Sequence, residues 1–409
     1  MTEVPVNGLD VRAAPPLSQV MGSNVVAVFG LGSQLSASGV TVTTDRALGI
    51  PAVWAAVNFL AGTMAGLPLN LYRRRGDERE RVFGPVHSLL HDAANDEMSS
   101  FDWRKFTFEQ VFTGGRGLTF IERKRSGEPM NLWPLDPAGT TVRREGGRRF
   151  YRYREGTGRA FDYEASEIID LPFMLHSDGL RHRGPFAAQK DTLGLSIALT
   201  EYGSRYFQNG GVPPFVVTGN FVTPEALRRA SDDLRDAVQK AAAEGRQAIT
   251  LPEGLEIKQI GVDPQKSQMV ESRRFLNEDV ARIYSIPPTF LQDLTNGTFS
   301  NTEQQDLHFV KHTVKRWVEQ FEQEMNLKLF GRARRSRFVE MNMDGLLRGD
   351  FKTRMEGYAQ GIQNAVLRPN EARRRENLAD DPDGGKLLVQ GATVPLGSQP
   401  TTEGDQGDA

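Results

Sequence analysis

The sequence predicts an α+β fold, and three observations carry that prediction. Residues Gly117 to Leu171 alternate with a period of two, whereas the flanking stretches repeat at three and four residues. Two helical stretches of some twenty residues, Pro185–Gln208 and Pro264–Tyr284, bracket a separate α/β pattern. A third long amphipathic helix restarts after a proline break and runs to Phe330. Such segregation of the two periods distinguishes α+β chains from those that alternate strand and helix. With 409 residues the chain has room for about two to four domains and a substantial core.

Taken in order, residues 1–43 are rich in Gly, Ser, Val and Pro without a sustained period, and are expected to form a flexible arm. Thr44 and Asp45 offer N-caps for a helix carrying Val53, Val57, Leu60, Ala61 and Met64 on one face, which Pro68 ends. Leu69–Arg73 reads as a strand, and Val86–Ala93 and Ser100–Phe112 as helices, the second stopped by Gly114 and Gly115. Leu118/Phe120, Leu132–Leu135, Phe150–Tyr153 and Ile168–Leu171 then mark an antiparallel β-rich region, with turns at Ser126-Gly127 and Glu145-Gly146-Gly147.

Asn209-Gly210-Gly211 ends the first long helix. Within the insert, Phe215–Thr218 reads as a strand, and Thr223-Pro224-Glu225 opens a helix to about Ala243. Two strands follow, Ala248–Leu251 and Leu255–Ile260, about a turn at Pro252-Glu253-Gly254. Asp263-Pro264 opens the second long helix, and Ile286-Pro287-Pro288 breaks it, since proline lacks an amide donor and restricts the residue before it. Ser300-Asn301-Thr302-Glu303 is a capping box, after which Leu307, Val310, Val314, Trp317, Phe321 and Met325 form one apolar stripe. Phe338–Met343 is expected as a strand, Phe351–Ile362 and Asn370–Asn377 as helices, and the acidic, Gly-rich tail from residue 380 as disordered. A hairpin of long helices with a module at its tip is unlike an active-site scaffold, where loops gather around one pocket.

Composition removes several function classes. Fifty Lys+Arg against 52 Asp+Glu give a net charge of -2, which argues against a free-standing protein that grips DNA by neutralising many phosphates. The cysteine count of zero excludes disulfides, thiolate nucleophiles and Cys-ligated metals, and fits a reducing compartment. The most apolar stretch, Ile50–Leu71, contains Asn58, Thr63, Gly62, Gly66, Pro51 and Pro68, so an amphipathic helix fits better than a membrane span. No basic region followed by an apolar core marks a signal peptide.

The chemical candidates are thin. His87/His91 and His308/His312 have i,i+4 spacing, which puts two imidazoles on one helix face, but no HExxH pattern or third ligand accompanies them. Thr113-Gly114-Gly115-Arg116-Gly117 follows a helix and lacks a GK[ST] sequel, so it reads as a helix stop rather than a phosphate loop. The paired carboxylates Asp232-Asp233 and Asp380-Asp381 sit in polar surroundings, and no GxSxG motif occurs. Basic clusters at Arg73–Arg75, Arg332–Arg337 and Arg373–Arg375 are patches rather than a stripe. No catalytic, cofactor-binding or metal-binding residue is therefore expected.

Six passages, in order, resemble the portal proteins of tailed double-stranded-DNA bacteriophages of the long-tailed type. They are Ala52-Val53-Trp54-Ala55-Ala56-Val57 through Leu67-Pro68-Leu69-Asn70-Leu71-Tyr72; Leu132-Trp133-Pro134-Leu135-Asp136-Pro137; and Tyr206-Phe207-Gln208-Asn209-Gly210 with Pro213-Pro214. The others are Ile286-Pro287-Pro288; Phe299-Ser300-Asn301-Thr302-Glu303-Gln304; and Asn370-Glu371-Ala372-Arg373. Each is short, but the ordered set spans about Thr44 to Val394. Two departures, Arg183-Gly184-Pro185-Phe186 in place of a G-x-SP turn and Gly114-Gly115-Arg116-Gly117 in place of a Gly-Asn pair, blur only local boundaries.

The resemblance implies a portal-type subunit that assembles into a ring, usually a dodecamer, at one capsid vertex, through which double-stranded DNA is packaged and ejected. It implies a wing at residues 44–184, stem helices at 185–212 and 263–286, and a clip at 213–262. A tunnel loop at 287–301 would be followed by the rest of the wing at 302–348, a helical crown at 349–379 and the tail at 380–409. The loop would present Asn296, Gly297, Thr298, Phe299, Ser300 and Asn301 to DNA without sequence specificity. Implied partners are other copies of the chain, the packaging ATPase (terminase large subunit), head-completion or adaptor proteins, the major capsid protein and the scaffold; no membrane and no cofactor is implied. The protein would be part of the virion, assembled in the host cytoplasm. Two other readings stay open at the level of sequence: a capsid or adaptor protein without a DNA conduit, and a metallohydrolase built on the histidine pairs.

Overall fold

A computed structural model describes residues 34–76, 78–208, 215–219, 223–244, 255–259, 269–291, 299–332, 336–347, 351–376 and 378–388. The chain divides into two compact units, Met1–Asn342 and Met343–Ala409, so the division falls before the end of the segment that the sequence groups as 302–348.

The first unit opens on a correction. Part of the expected flexible arm is ordered, because β1 (Gln34–Leu35) and β2 (Thr41–Val42) pair antiparallel. Two-residue strands are too short to show a period, and what fixes them is distant: Ala37 N donates to Asp191 Oδ1 at 2.8 Å. Gly194 makes room for the contact, since a Cβ there would lie 2.2 Å from Ser36 Oγ. The predicted first helix is two, α1 (Thr44–Leu48) and α2 (Pro51–Gly66). Thr43, not Thr44 or Asp45, caps α1 by accepting from Arg46 N, and Pro51 takes the first position of α2, where its missing amide costs nothing. The buried face of α2 includes Val53, Val57, Leu60, Ala61 and Met64, as the spacing predicts.

Strands β3 (Leu69–Arg75) and β4 (Glu78–Arg81) precede α3 (Pro85–His91) and α4 (Ser100–Phe112), whose N-cap Ser99 accepts from Asp102 N at 3.0 Å. The β-rich region holds six strands: β5 (Arg116–Arg123), β6 (Pro129–Leu135), β7 (Thr140–Glu145), β8 (Arg148–Arg154), β9 (Ala160–Glu164) and β10 (Ile168–Pro172). They form two antiparallel sheets, ordered β10-β5-β6 and β7-β8-β9. Strand β7 carries few apolar residues, and β9 alternates over only five, so neither stands out in the sequence. The sheets share a core in which Leu118, Phe120, Trp133 and Leu135 meet Tyr151, Tyr153, Tyr163 and Ile168.

Next come α5 (Pro185–Ala188) and α6 (Lys190–Gln208), separated at Gln189 where a continuous helix was expected. The insert contains β11 (Phe215–Gly219), α7 (Pro224–Ala243) and β12 (Leu255–Gln259), with β11 and β12 paired antiparallel. The predicted strand Ala248–Leu251 lies outside the described residues. Helix α8 spans Met269–Tyr284, and the expected start at Pro264 also lies outside them. A 3₁₀ turn at Pro288–Leu291 precedes α9 (Phe299–Phe309), a π-helical turn (Val310–Val314) and α10 (Lys315–Phe330). Strand β13 (Arg337–Met341) then returns to pair with β3, completing the sheet β13-β3-β4.

Helix α10 closes the core of the N-terminal half. Phe321 lies 6.1 Å from Trp103 and 5.4 Å from Phe108, ring to ring, and Trp317 sits edge-on to Phe112 at 5.1 Å. Trp103 finds a partner for its indole N–H in Thr119 Oγ1 at 3.0 Å. Burying such rings contributes about 1.5–3 kcal/mol each.

The second unit comprises α11 (Asp344–Leu347), α12 (Phe351–Gln363) and α13 (Pro369–Arg375). Arg368 N donates to Glu371 Oε2 at 2.9 Å, the glutamate reaching back over the start of α13. The expectation of disorder from residue 380 needs correction for the first few residues. Asn370 Nδ2 donates to Asp381 O at 2.9 Å and Asp381 N donates back to Asn370 Oδ1 at 2.8 Å, while Gly384 approaches that side chain too closely for any Cβ. A buried amide, not composition, orders this stretch.

Candidate functional site: helices α6 and α8 and the segment from Tyr284 to Phe309

Helix α8 is held firmly at its C-terminus. Tyr284 is buried, stands edge-on to Phe112 at 6.3 Å, and donates its hydroxyl to Phe112 O at 2.8 Å. Burial pushes the phenol pKa far above its ordinary value, so the hydroxyl stays a donor. The helix stops at Ser285, whose φ of 55° is left-handed, and Ile286 N donates to Ala281 O at 3.0 Å as the chain turns. Pro287 then leads into the short 3₁₀ turn, opened by Pro288, that carries Phe290.

Three rings anchor that turn. Phe290 lies 5.1 Å from Phe59 of α2 and 5.0 Å from Phe309 of α9, and Phe59 and Phe309 are 5.3 Å apart. Thr289 Oγ1 also donates to Gln305 Oε1 at 2.6 Å. The described residues on either side of 292–298 thus meet in one aromatic cluster, while that segment, expected from the sequence as a tethered loop, lies outside the described residues. No local pattern marks the three rings, because Phe59, Phe290 and Phe309 sit in runs that read separately as helix, loop and helix.

The predicted loop residues divide. Asn296, Gly297 and Thr298 lie outside the described residues. Phe299, Ser300 and Asn301 belong to the first turn of α9, which starts one residue before the serine assigned as its cap. This corrects the loop's end; caps are half inside their helices, and a boundary read from a capping box is good to a residue or two.

The exposed sides of α6 and α8 are apolar in places. Leu195, Tyr202 and Phe207 on α6, and Val270 and Phe275 on α8, are exposed although large and hydrophobic. On α7 only Leu234 and Ala241 are buried among the side chains described, while Arg228, Arg229, Asp232, Asp233, Arg235 and Lys240 face outward.

The Gly114–Gly117 segment proves to be a packing device. A Cβ on Gly115 would fall 2.1 Å from Gly184 Cα, and one on Gly184 would fall 2.2 Å from Gly114 O. This crossing explains the glycine in Arg183-Gly184-Pro185. Beside it, Arg116 makes a buried fork to Asp170, Nε to Oδ1 at 2.7 Å and a terminal nitrogen to Oδ2 at 2.5 Å. Tyr151 donates to Asp170 Oδ2 at 2.6 Å, Arg149 adds a bond at 3.2 Å, and Asp170 N donates to Glu324 Oε1 of α10 at 2.9 Å. Burial alone would raise the Asp170 pKa, but the Arg116 bonds and charge outweigh it and hold the carboxyl below its usual range. His182, half-buried nearby, is depressed to about 4 by its partial desolvation and then by the charge of Arg116.

Neither histidine pair gathers further ligands. His87 and His91 stack at 5.0 Å, with His91 bonded to Asp92 at 2.9 Å, and His308 and His312 lie 4.3 Å apart. Among the described residues no three His, Cys, Asp or Glu side chains converge to hold a metal ion. Among the same residues, no helix is long and apolar enough to cross a membrane.

A family profile described as "Phage portal protein" matches residues 51–377. The chain is 29% identical to the "Probable portal protein" of Streptomyces phage phiC31, covering 96% of this chain and 86% of that one. It is 28% identical to the "Portal protein" of Enterobacteria phage HK97, covering 87% and 85%. Among solved structures, an HK97-family phage portal protein from Corynebacterium diphtheriae aligns with a TM-score of 0.55 at 20% identity, covering 74% of this chain and 96% of that one. The neck of a native gene transfer agent particle, computed with C12 symmetry, aligns with a TM-score of 0.56 at 18% identity, covering 90% and 97%.

Proposed function

The chain belongs to the phage portal protein family, and from that premise we propose that its subunits close into a ring of twelve at one capsid vertex, around a channel for double-stranded DNA. The observation that carries this reading is the order of elements: α6 and α8 bracket the β11-α7-β12 module, and α8 returns through an anchored turn into the long wing helix. Head-to-tail closure requires two different complementary surfaces per subunit. The exposed apolar residues on α6 and α8 supply surface for such contacts. The C12 symmetry of the gene transfer agent neck supports twelve copies.

In this arrangement α6 and α8 are the stem and the insert 213–262 is the clip, which docks the packaging ATPase and later the head-completion proteins. The charged outer face of α7 suits a polar, exchangeable interface of that kind. The proposed channel-facing residues are then Asn296, Gly297 and Thr298, between the Phe290 anchor and the start of α9 at Phe299. A net charge of -2 suits a conduit, because a channel dense in Lys and Arg would hold DNA through many phosphate contacts and resist sliding. Assembly takes place in the host cytoplasm, on contact with scaffold and major capsid protein. The subunit positions and orders DNA without catalysing a reaction, and the energy for packaging comes from the separate ATPase.

Electron microscopy of the purified full-length protein tests the reading. A closed ring with an axial channel wide enough for duplex DNA is expected; a closed shell, or a ring too narrow for DNA, would refute it. Replacing residues 213–262 by a short Gly-Ser linker is expected to leave the helical circular-dichroism signal of the remaining chain but abolish binding of the packaging ATPase. Normal binding by that variant would remove the clip assignment alone.

A further inference from the structure

The helix from Phe299 to Phe330 changes type once. Val310–Val314 form a π-helical turn, which closes with i→i+5 bonds and accommodates one residue more than the α-helix on either side. Nothing local demands it, since Val-Lys-His-Thr-Val contains neither glycine nor proline. The cause is tertiary. Val310, Thr313 and Val314 are buried, and Thr313 Oγ1 donates to Ser285 O, the carbonyl of the left-handed residue that ends α8. Two irregular points of backbone therefore face each other across one hydrogen bond, and the chain between them carries the Phe290 anchor and the segment 292–298.

We propose that this π turn is a register switch for α9, holding one spare residue, with the Thr313–Ser285 bond as its latch. One residue of α-helix corresponds to about 1.5 Å of rise and about 100° of rotation. Passing the spare residue toward the N-terminus moves α9 by that step while α10 stays fixed by Trp317, Phe321 and Met325 in the core. Among the described side chains of α9, Leu307 is already exposed, and the contacts to be remade include the Phe309 ring contacts and the Thr289–Gln305 bond. Register shifts of this kind are discrete, because packed helices have alternative seatings rather than a continuum. The inference concerns the helix itself and holds wherever residues 292–298 point.

Deleting one residue tests it. Lys311 is exposed within the π turn, and Glu319 is exposed within regular α10. Deletion of Lys311 removes the spare residue and leaves both flanks in their native packing, so the variant is expected to fold with a Tm no lower than that of the parent. Its amides 309–316 are expected to exchange hydrogen at least tenfold more slowly than the parent's. Deletion of Glu319 rotates half the helix out of its seat and is expected to lower Tm sharply or prevent folding. Thr313→Val is expected to speed exchange at 309–316 at least tenfold and leave 320–327 unchanged. The switch is refuted if deletion of Lys311 harms the protein as much as deletion of Glu319. It is equally refuted if Thr313→Val leaves exchange unchanged, or if the parent already protects 309–316 as strongly as 320–327.

Discussion

The buried ion pair of the β-rich region and the outer faces of α6 and α8 use their side chains in opposite ways. In the β-rich region even charges are internal: Arg116 and Asp170 are almost fully buried, and Arg116, Tyr151 and Arg149 between them bond both oxygens of the carboxylate. On α8 large apolar side chains point outward, with Val270 84% and Phe275 57% exposed. A buried pair whose bonds are all made within the chain needs no partner. A helix face that leaves valine and aromatic residues in water offers them to one.

The sharpest way to break this comparison is Asp170→Asn. It strands the buried Arg116 guanidinium without its counter-charge, and a loss of about 3–5 kcal/mol is expected in urea denaturation. A loss below about 1 kcal/mol would mean that the β-rich region tolerates an unpaired internal charge.

A smaller effect comes from His182. Unfolded, the imidazole binds its proton near pH 6.5; folded, burial first and then Arg116 hold it to about 4. Between those values the unfolded state carries more protons, so stability rises with pH, and it is lost as pH falls from 6.5 toward 4. The expected loss is on the order of 2–3 kcal/mol, and His182→Gln should flatten that part of the stability–pH curve. The depressed Asp170 carboxyl has the same sign but acts only at more acid pH, so its contribution should survive in the His182→Gln protein.

The smallest effect on the subunit is expected on α8. Val270→Ser with Phe275→Ser changes exposed positions and should move unfolding free energy by about 0.5 kcal/mol or less each. Ring formation, followed by analytical ultracentrifugation, should nevertheless weaken. Unchanged assembly would show that these side chains are not what holds neighbours together.

How much of this was legible in the sequence depends on the range of each interaction. Helix α4 was read to the residue, and the buried face of α2 was read correctly, because a 3.6-residue period and a serine cap act within a few positions. Strand β7 was not legible because its arginines and glutamate hide the alternation, and β9 because it alternates over only five residues; the tyrosines of β8 and β9 find their place only against the neighbouring sheet. Around the candidate site, the proline break and the restart of a helix were visible. The Phe59–Phe290–Phe309 anchor was not, since Phe59 is more than two hundred residues from the other two along the chain and a few ångströms from them in space.

By itself, the sequence determined the α+β class, the order of the long helices, the insert between them, and the absence of any cysteine chemistry, since all of these follow from local period and composition. Only the tertiary structure decided the rest: that residues 34–42 lie against α6, that Gly115 and Gly184 cross, that Asp170 collects Arg116, Tyr151 and Arg149, and that the helix after Phe299 carries a π turn. Each depends on two backbones approaching from distant parts of the chain, and the free energy of such an approach is written in neither partner's neighbourhood.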